Sequence, residues 1–153
     1  MLNVVLVEPE IPNNTGNIGR LCVGTESRLH LIHPFGFVIN DKNLKRSGLD
    51  YWPHLDVTEY ENVEAWMKII PDLSRVFLMS SHAEKSYLET GFKDGDWLVF
   101  GKESAGLGKE VLDRFENHLT IPMSKLIRSF NIANSVAFVV GEAKRQIGLK
   151  TGP

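Results

Sequence analysis

Cysteine is nearly absent from this chain. The single thiol, Cys22, excludes an internal disulfide and fits a reducing compartment. It stands in an apolar helical stripe, where a buried structural thiol is the ordinary outcome. Long apolar runs are missing too, and no stretch reaches the roughly 20 residues that a membrane span needs. The opening MLNVVLVEPE has no basic leader and no small-residue cleavage site, so no secretory signal is expected and a cytoplasmic protein is. Charge of one sign is lacking as well. The net value of −2 argues against a general basic coat for nucleic acid, though not against a local patch, which a symmetric dimer would double. His30, His33, His54, His82 and His118 are scattered without metal-ligand spacing, so no metal is expected. No Ser-His-Asp order supports hydrolase chemistry. Repeats, linkers and low-complexity segments are all absent.

What remains is an ordinary apolar fraction, 42%, in 153 residues, enough for one domain over residues 1–153 with a real core. The apolar pattern alternates between strand and helix. Asn3–Val7 reads as a buried strand, ended by the Glu8–Pro12 turn. Asn13, Asn14 or Thr15 can cap a first helix carrying Ile18, Leu21 and Cys22 on one face. Leu29–Ile32 is a second strand, and the piece Asp41–Ser47 groups Lys42, Lys45 and Arg46. Asn62–Ile70 reads as a helix stopped by Pro71. Arg75–Ser80 and Trp97–Phe100 are strands, and Lys109–Phe115 is a short helix. This order predicts an α/β fold with a mostly parallel sheet of about six strands. Ligands of such sheets bind beyond the carboxyl ends of the strands. Three of those exits carry suggestive residues: Met79-Ser80-Ser81, Gly101-Lys102-Glu103-Ser104 and Ile121-Pro122.

The stretch Ile121–Leu149 organises the rest. Pro122 ends a strand, because proline has no N–H for a ladder. A basic loop follows with Lys125, Arg128 and Ser129. Ser129 or Asn131 can cap the next helix. There Ile132, Val136, Val139, Val140, Ala143 and Ile147 recur at helical spacing, while Ala133, Ala137 and Phe138 add apolar surface elsewhere. A core strand over Val136–Val140 is the rival reading, but the period continues to Ile147. A helix apolar nearly all round is covered on more than one side, here by its own sheet and by a second subunit. Its N-terminus favours anions and offers free N–H groups.

Two glycine-bearing loops miss the familiar nucleotide fingerprints. Asn14–Arg20 holds Gly16 and Gly19, which let something approach the helix closely, but it lacks the third glycine and the acidic partner of a dinucleotide loop. Gly101–Lys109 lies between a strand and a helix, but Leu107 follows Gly106 where a P-loop requires Lys-Ser/Thr. Glu103 in that loop can bind a ribose or cap a helix. Lys42, Lys45, Arg46, Lys125 and Arg128 can meet RNA phosphates, with Tyr51 and Trp52 near enough in sequence to stack a base. Solvated surface charge is the plain alternative.

Taken together, the segments LNVVLVEPEIPNNTGNIGRLC, DGDWLVFGKESAGL and IPMSKLIRSFNIANSVAFVVGEAKRQIG resemble the three motifs of the SPOUT superfamily of RNA methyltransferases. The resemblance spans essentially the whole chain. Within that superfamily it is nearest the small bacterial enzymes that methylate the wobble cytidine or uridine ribose of tRNA. It implies a sheet with helices on both faces, a C-terminal trefoil knot and an obligate homodimer. It implies S-adenosylmethionine bound at Met79, Gly101, Glu103, Ile121 and Ser129. It assigns the acceptor ribose to Arg20, with Asn131 and Asn134 as polar positions of the third motif. Lys42, Lys45, Arg46, Lys102, Lys125 and Arg128 are then expected to face a tRNA anticodon stem-loop. The chain departs from the family pattern at Lys102, where proline is usual, at Ala105 for arginine, at Ala133 for serine, and at Gly141 for tyrosine. Two rivals follow: the same chemistry on another RNA site, or a non-catalytic RNA-binding member of the fold.

Overall fold

The computed structural model describes residues 1–38 and 50–148, so the expected basic piece with Lys42, Lys45 and Arg46 lies outside the described residues. Buried apolar runs make the two central strands, β1 (Asn3–Val7) and β5 (Trp97–Phe100), with the bounds the sequence predicts. Around them stand β2 (Arg28–Ile32), β3 (Val57–Tyr60), β4 (Val76–Met79) and β6 (Asn117–Leu119). Among the described residues they form one sheet, in the order β3-β2-β1-β5-β4-β6, and every ladder is parallel. All carboxyl ends therefore meet at one edge.

The two-residue period of the strands divides the core. Val4 and Leu6 of β1 with Leu98 and Phe100 of β5 face one side. There they meet Ile18 and Cys22 of α1 (Pro12–Gly24), and Val136, Val139, Val140 and Ala143 of the last helix, Ile132–Ile147. Val5, Val7, Trp97 and Val99 face the other side, against Trp66 of α2 (Val63–Met67) and Val111 and Leu112 of α3 (Lys109–Leu112). Helices thus cover both faces. The last helix, α4 (Ile132–Ile147), is fixed at its far end by Gln146. That side chain accepts from Phe92 N at 2.7 Å and donates to the Thr90 carbonyl at 2.9 Å. At the amino edge of the sheet, buried Asp96 accepts from Arg75 Nε at 2.7 Å and Nη2 at 2.6 Å, tying the starts of β4 and β5 together.

Several boundaries differ from expectation. The first helix begins at Pro12, before the polar residues expected to cap it, and Asn14 and Thr15 are buried within it. Its side-chain support comes instead from Glu103, far away in sequence. Helix α2 stops at Met67 rather than Ile70, since a residue preceding proline is pushed out of helical backbone and Pro71 acts before it is reached. Strand β3 has no counterpart in the sequence reading, because Thr58 and Glu59 are exposed on a sheet edge and leave no apolar run. Gly19 has a structural explanation: a Cβ there would stand 2.8 Å from the Trp52 ring, and nearby the Tyr51 hydroxyl donates to the Gly16 carbonyl. Trp52 is half-buried and packs on the core beside α1.

One buried group makes stability depend on pH. His30 is 5% exposed between the Trp97 and Tyr60 rings. Asn3 Nδ2 donates to the Gly95 carbonyl, so Asn3 Oδ1 faces His30 Nε2 at 3.0 Å as an acceptor. Nε2 therefore carries the proton, and Nδ1 accepts from the Tyr60 hydroxyl at 2.9 Å. Burial is the main cause that lowers the ring's pKa from 6.5 to about 4. Between those values the unfolded chain binds a proton that the folded ring refuses. Stability is whole above pH 6.5 and falls as pH drops toward 4. Denaturant titrations at pH 7.5 and pH 5 should differ by about 2 kcal/mol, and His30→Gln should remove most of that difference. Equal midpoints for the wild type at both pH values would mean that the ring protonates freely in the folded state.

Candidate functional site

The carboxyl ends of β4, β5 and β6 open onto a cavity of about 480 Å³. This is within the range of about 300–1,000 Å³ for sites that hold cofactor-sized ligands. Three walls are strand exits. Met79 ends β4 and Ser80 to His82 follow it, Gly101 to Leu107 follow β5, and Thr120 and Ile121 follow β6. The fourth wall is the segment Arg128–Ile132, which leads into α4. Leu107, Leu119 and Ile121 give apolar surface, and Ser80, Ser129 and Ser135 give hydroxyls. That mixture suits a ligand with a flat apolar part and several polar groups.

Glycine is required at the β5 exit by the loop itself. A Cβ on Gly101 would lie 2.1 Å from the Gly106 carbonyl carbon and 2.2 Å from Leu107 N. The chain turns back on itself here, closed by Gly106 N donating to the Lys102 carbonyl at 2.8 Å, with Gly106 at φ +69. The result is a tight loop that presents backbone to the cavity.

Five polar side chains join this loop to both helices. Asn131 caps α4, accepting from Ala133 N at 2.8 Å. Its Nδ2 donates to Asn14 Oδ1 at 3.1 Å, and Asn14 Nδ2 donates in turn to Glu103 Oε1 at 3.4 Å. Glu103 also accepts from Glu10 N at 2.8 Å and Ile11 N at 3.1 Å. Glu10 Oε1 accepts from Ser104 N at 2.8 Å and Ser104 Oγ at 2.7 Å, and these bonds hold the Glu10 carboxyl below the usual carboxylate range. Of the two roles open to Glu103, the one its oxygens perform here is to hold the start of α1.

The cavity gathers most of the residues singled out from sequence: Met79, Gly101, Glu103, Ile121, Ser129 and Asn131 all line it. Lys102 and Arg128 line it too, and with the α4 N-terminus they make its rim favourable to anionic groups. Arg20, Lys125 and Asn134 are exposed and do not line it. Arg20 lies about 13 Å along α1 from Ile11 at helical rise. It sits near Tyr51, whose pKa is raised mainly by burial, with the Arg20 charge acting the other way. Sequence reasoning missed Glu10, and treated Asn14 only as a helix cap. The signal that finds both is the adjacency of β1 and β5, which puts the Glu8–Pro12 turn beside the loop after β5.

A parallel sheet whose carboxyl edge closes on one cofactor-sized cavity defines an α/β ligand-binding protein. The chain belongs to the SpoU rRNA Methylase family, which matches it over residues 1–141. It is 44% identical over 150 residues to the tRNA (cytidine(34)-2'-O)-methyltransferase of Escherichia coli (strain K12), covering 97% of this chain and 95% of that one. A solved structure described as giving structural insights into the 2-OH methylation of C/U34 on tRNA matches with a TM-score of 0.90 and 46% identity, covering 95% of both chains. The AdoMet-bound rRNA methyltransferase of Sinorhizobium meliloti shares the fold, with a TM-score of 0.85 at 19% identity over 96% of this chain and 57% of that one.

Proposed function

We propose that this protein transfers a methyl group from S-adenosylmethionine to the ribose 2′-OH of the wobble cytidine or uridine of tRNA. The observation that carries this reading is the meeting of three strand exits and the α4 N-terminus on one cavity of about 480 Å³. The tRNA (cytidine(34)-2'-O)-methyltransferases at similar length support the acceptor. The apolar and hydroxyl lining fits the donor's chemistry, and Met79, Gly101, Ile121 and Ser129 would hold it, largely through backbone. When bound, the donor supplies a methyl group on a sulfonium.

The chain's own residues must align the acceptor and manage its proton. Alignment alone can be worth about 7–11 kcal/mol of barrier. Arginine side chains do not give up their proton in proteins, so position 20 does not supply a simple base. Its role is to fix the neighbouring phosphate and stabilise the developing alkoxide, while a phosphate oxygen or water takes the proton. Lys42, Lys45, Arg46, Lys102, Lys125 and Arg128 would contact the anticodon stem-loop.

A homodimer completes this reading. Arg20 does not line the cavity of its own chain, and a second copy would bring it to one. Leu126 is 93% exposed and Phe138 46% exposed, an apolar surface that a partner would cover. Asn134, Ala137, Phe138 and Gly141 share one helix face by spacing, so Asn134 would act at that joint. The reading includes one domain over residues 1–153, a C-terminal knot and a cytoplasmic location. Among the described residues no helix is long and apolar enough to cross a membrane.

Labelled S-adenosylmethionine, purified protein and bulk tRNA from cells lacking wobble ribose methylation test the proposal. Label should appear as 2′-O-methylcytidine or 2′-O-methyluridine at the wobble nucleotide. Label at another nucleotide would remove the wobble assignment, and donor binding without any transfer would point to a non-catalytic member of the fold.

A further inference from the structure

We propose that Glu10 is a positioning residue for methyl transfer, fixing the start of the Arg20 helix on the loop after β5 through Ser104 and so setting where that helix presents Arg20 to the cavity of a second copy. This rests on the function proposed above. Ser104 stands at the tip of the loop after β5, between Lys102 and Gly106, which close it. Glu10 precedes Ile11, the residue that caps α1. The two carboxylates cross. Glu103 reaches from the loop to the backbone of Glu10 and Ile11, and Glu10 reaches from the turn to the backbone and hydroxyl of Ser104. Charge-assisted bonds of this kind are roughly twice as strong as neutral ones.

The clasp separates holding the donor from aiming the acceptor arginine. The loop keeps its shape by itself, through the Gly106–Lys102 bond and the packing of Gly101 on Gly106 and Leu107. Glu103 keeps its bonds to residues 10 and 11 whatever side chain stands at position 10, because they use main-chain N–H groups. Truncating Glu10 therefore frees one thing only, the angle between the loop tip and the start of α1. A small shift there changes how α1, packed on the core through Ile18 and Cys22, presents Arg20. Misplacement of about 1 Å can lower a rate up to about 100-fold.

The test compares wild type, Glu10→Ala, Glu10→Gln and Ser104→Ala for turnover on wobble-unmodified tRNA, and for affinity toward S-adenosylhomocysteine by calorimetry. Glu10→Ala should lower kcat about 10- to 100-fold while the product analogue binds within about threefold of wild type. Glu10→Gln should recover most of the rate, since an amide oxygen still accepts from Ser104. The double variant Glu10→Ala/Ser104→Ala should be no slower than Glu10→Ala, because both remove one contact. An unchanged kcat in Glu10→Ala overturns the proposal. So does a rate loss matched by an equal loss of S-adenosylhomocysteine affinity, which would make Glu10 part of the donor pocket alone. Wild-type protein that fails to methylate tRNA would overturn the function proposed above, and this inference with it.

Discussion

Gly101→Ala should abolish binding of S-adenosylhomocysteine, with a loss of at least about 100-fold, while leaving the sheet folded. The added methyl would meet backbone, not a side chain that can swing aside: the Gly106 carbonyl carbon at 2.1 Å, Leu107 N at 2.2 Å and the Gly106 oxygen at 2.5 Å. Only movement of the 101–107 loop can relieve such contacts. Overpacking of this sort costs on the order of 1–3 kcal/mol. Most of that strain falls on a loop whose other function is to wall the cavity. Strand β5 is anchored on both sides by β1 and β4, so Trp97–Phe100 can stay in place while the loop opens. Calorimetric titration reads the binding loss, and thermal unfolding reads the strain. Gly91→Ala serves as the control, since a Cβ there has nothing within 4 Å. Wild-type binding by Gly101→Ala would show that the donor does not depend on this wall.

The same loop marks how far the sequence was legible. Its position after β5 could be read, because Trp97–Phe100 is a fully buried apolar run. Three of its lining strand exits could also be read, since strand ends in a parallel sheet share one edge. What could not be read was which loops touch. Glu103 was open to two roles until the β1–β5 pairing placed it against the start of α1. The first helix was expected to cap itself through Asn13, Asn14 or Thr15. It does not: the helix begins at Pro12 with no side-chain cap bond, and the Glu103 carboxylate binds the N–H groups of Glu10 and Ile11 just ahead of it. Local signals carry no information about a partner so distant in sequence. Strand β3 escaped for the opposite reason: an edge strand needs little apolar surface, and Val57–Tyr60 shows little.

Helix α4 was the most legible element. Its inward residues, Val136, Val139, Val140 and Ala143, are all fully buried in the core. Its outward apolar residues, Ala137 and Phe138, are exposed in one chain. Phe138 contacts Phe130 at 5.2 Å between ring centres, so the apolar face runs from the helix onto the loop that walls the cavity. Gly141 on this helix has open space around it in one chain. Ala133 supplies through its backbone the N–H that the Asn131 cap accepts, so the cap does not depend on the side chain at position 133.

Arg20→Lys should lower turnover on tRNA by about 100- to 1,000-fold, the usual cost of losing one preorganised donor to a developing oxyanion. The charge is kept, so tRNA affinity and its salt dependence should change far less than kcat. What is lost is the planar fork, which can hold a phosphate and an alkoxide at once. Lysine also separates two mechanisms. If the side chain at position 20 removed the proton itself, lysine would be the better base, because its ordinary pKa lies near 10.4 and that of arginine above 12. The Arg20→Lys rate would then climb with pH toward 10 and overtake wild type. If the guanidinium instead orients phosphate and stabilises charge, the loss should persist at every pH. Full turnover by Arg20→Lys at neutral pH would sink the orienting role. The exposure of Arg20 in the single chain adds a further expectation. Mixing Arg20→Ala protein with protein disabled by Gly101→Ala should restore activity if the arginine serves the cavity of a second copy, because one mixed site then has both parts intact. If each arginine serves its own chain, the mixture stays inactive.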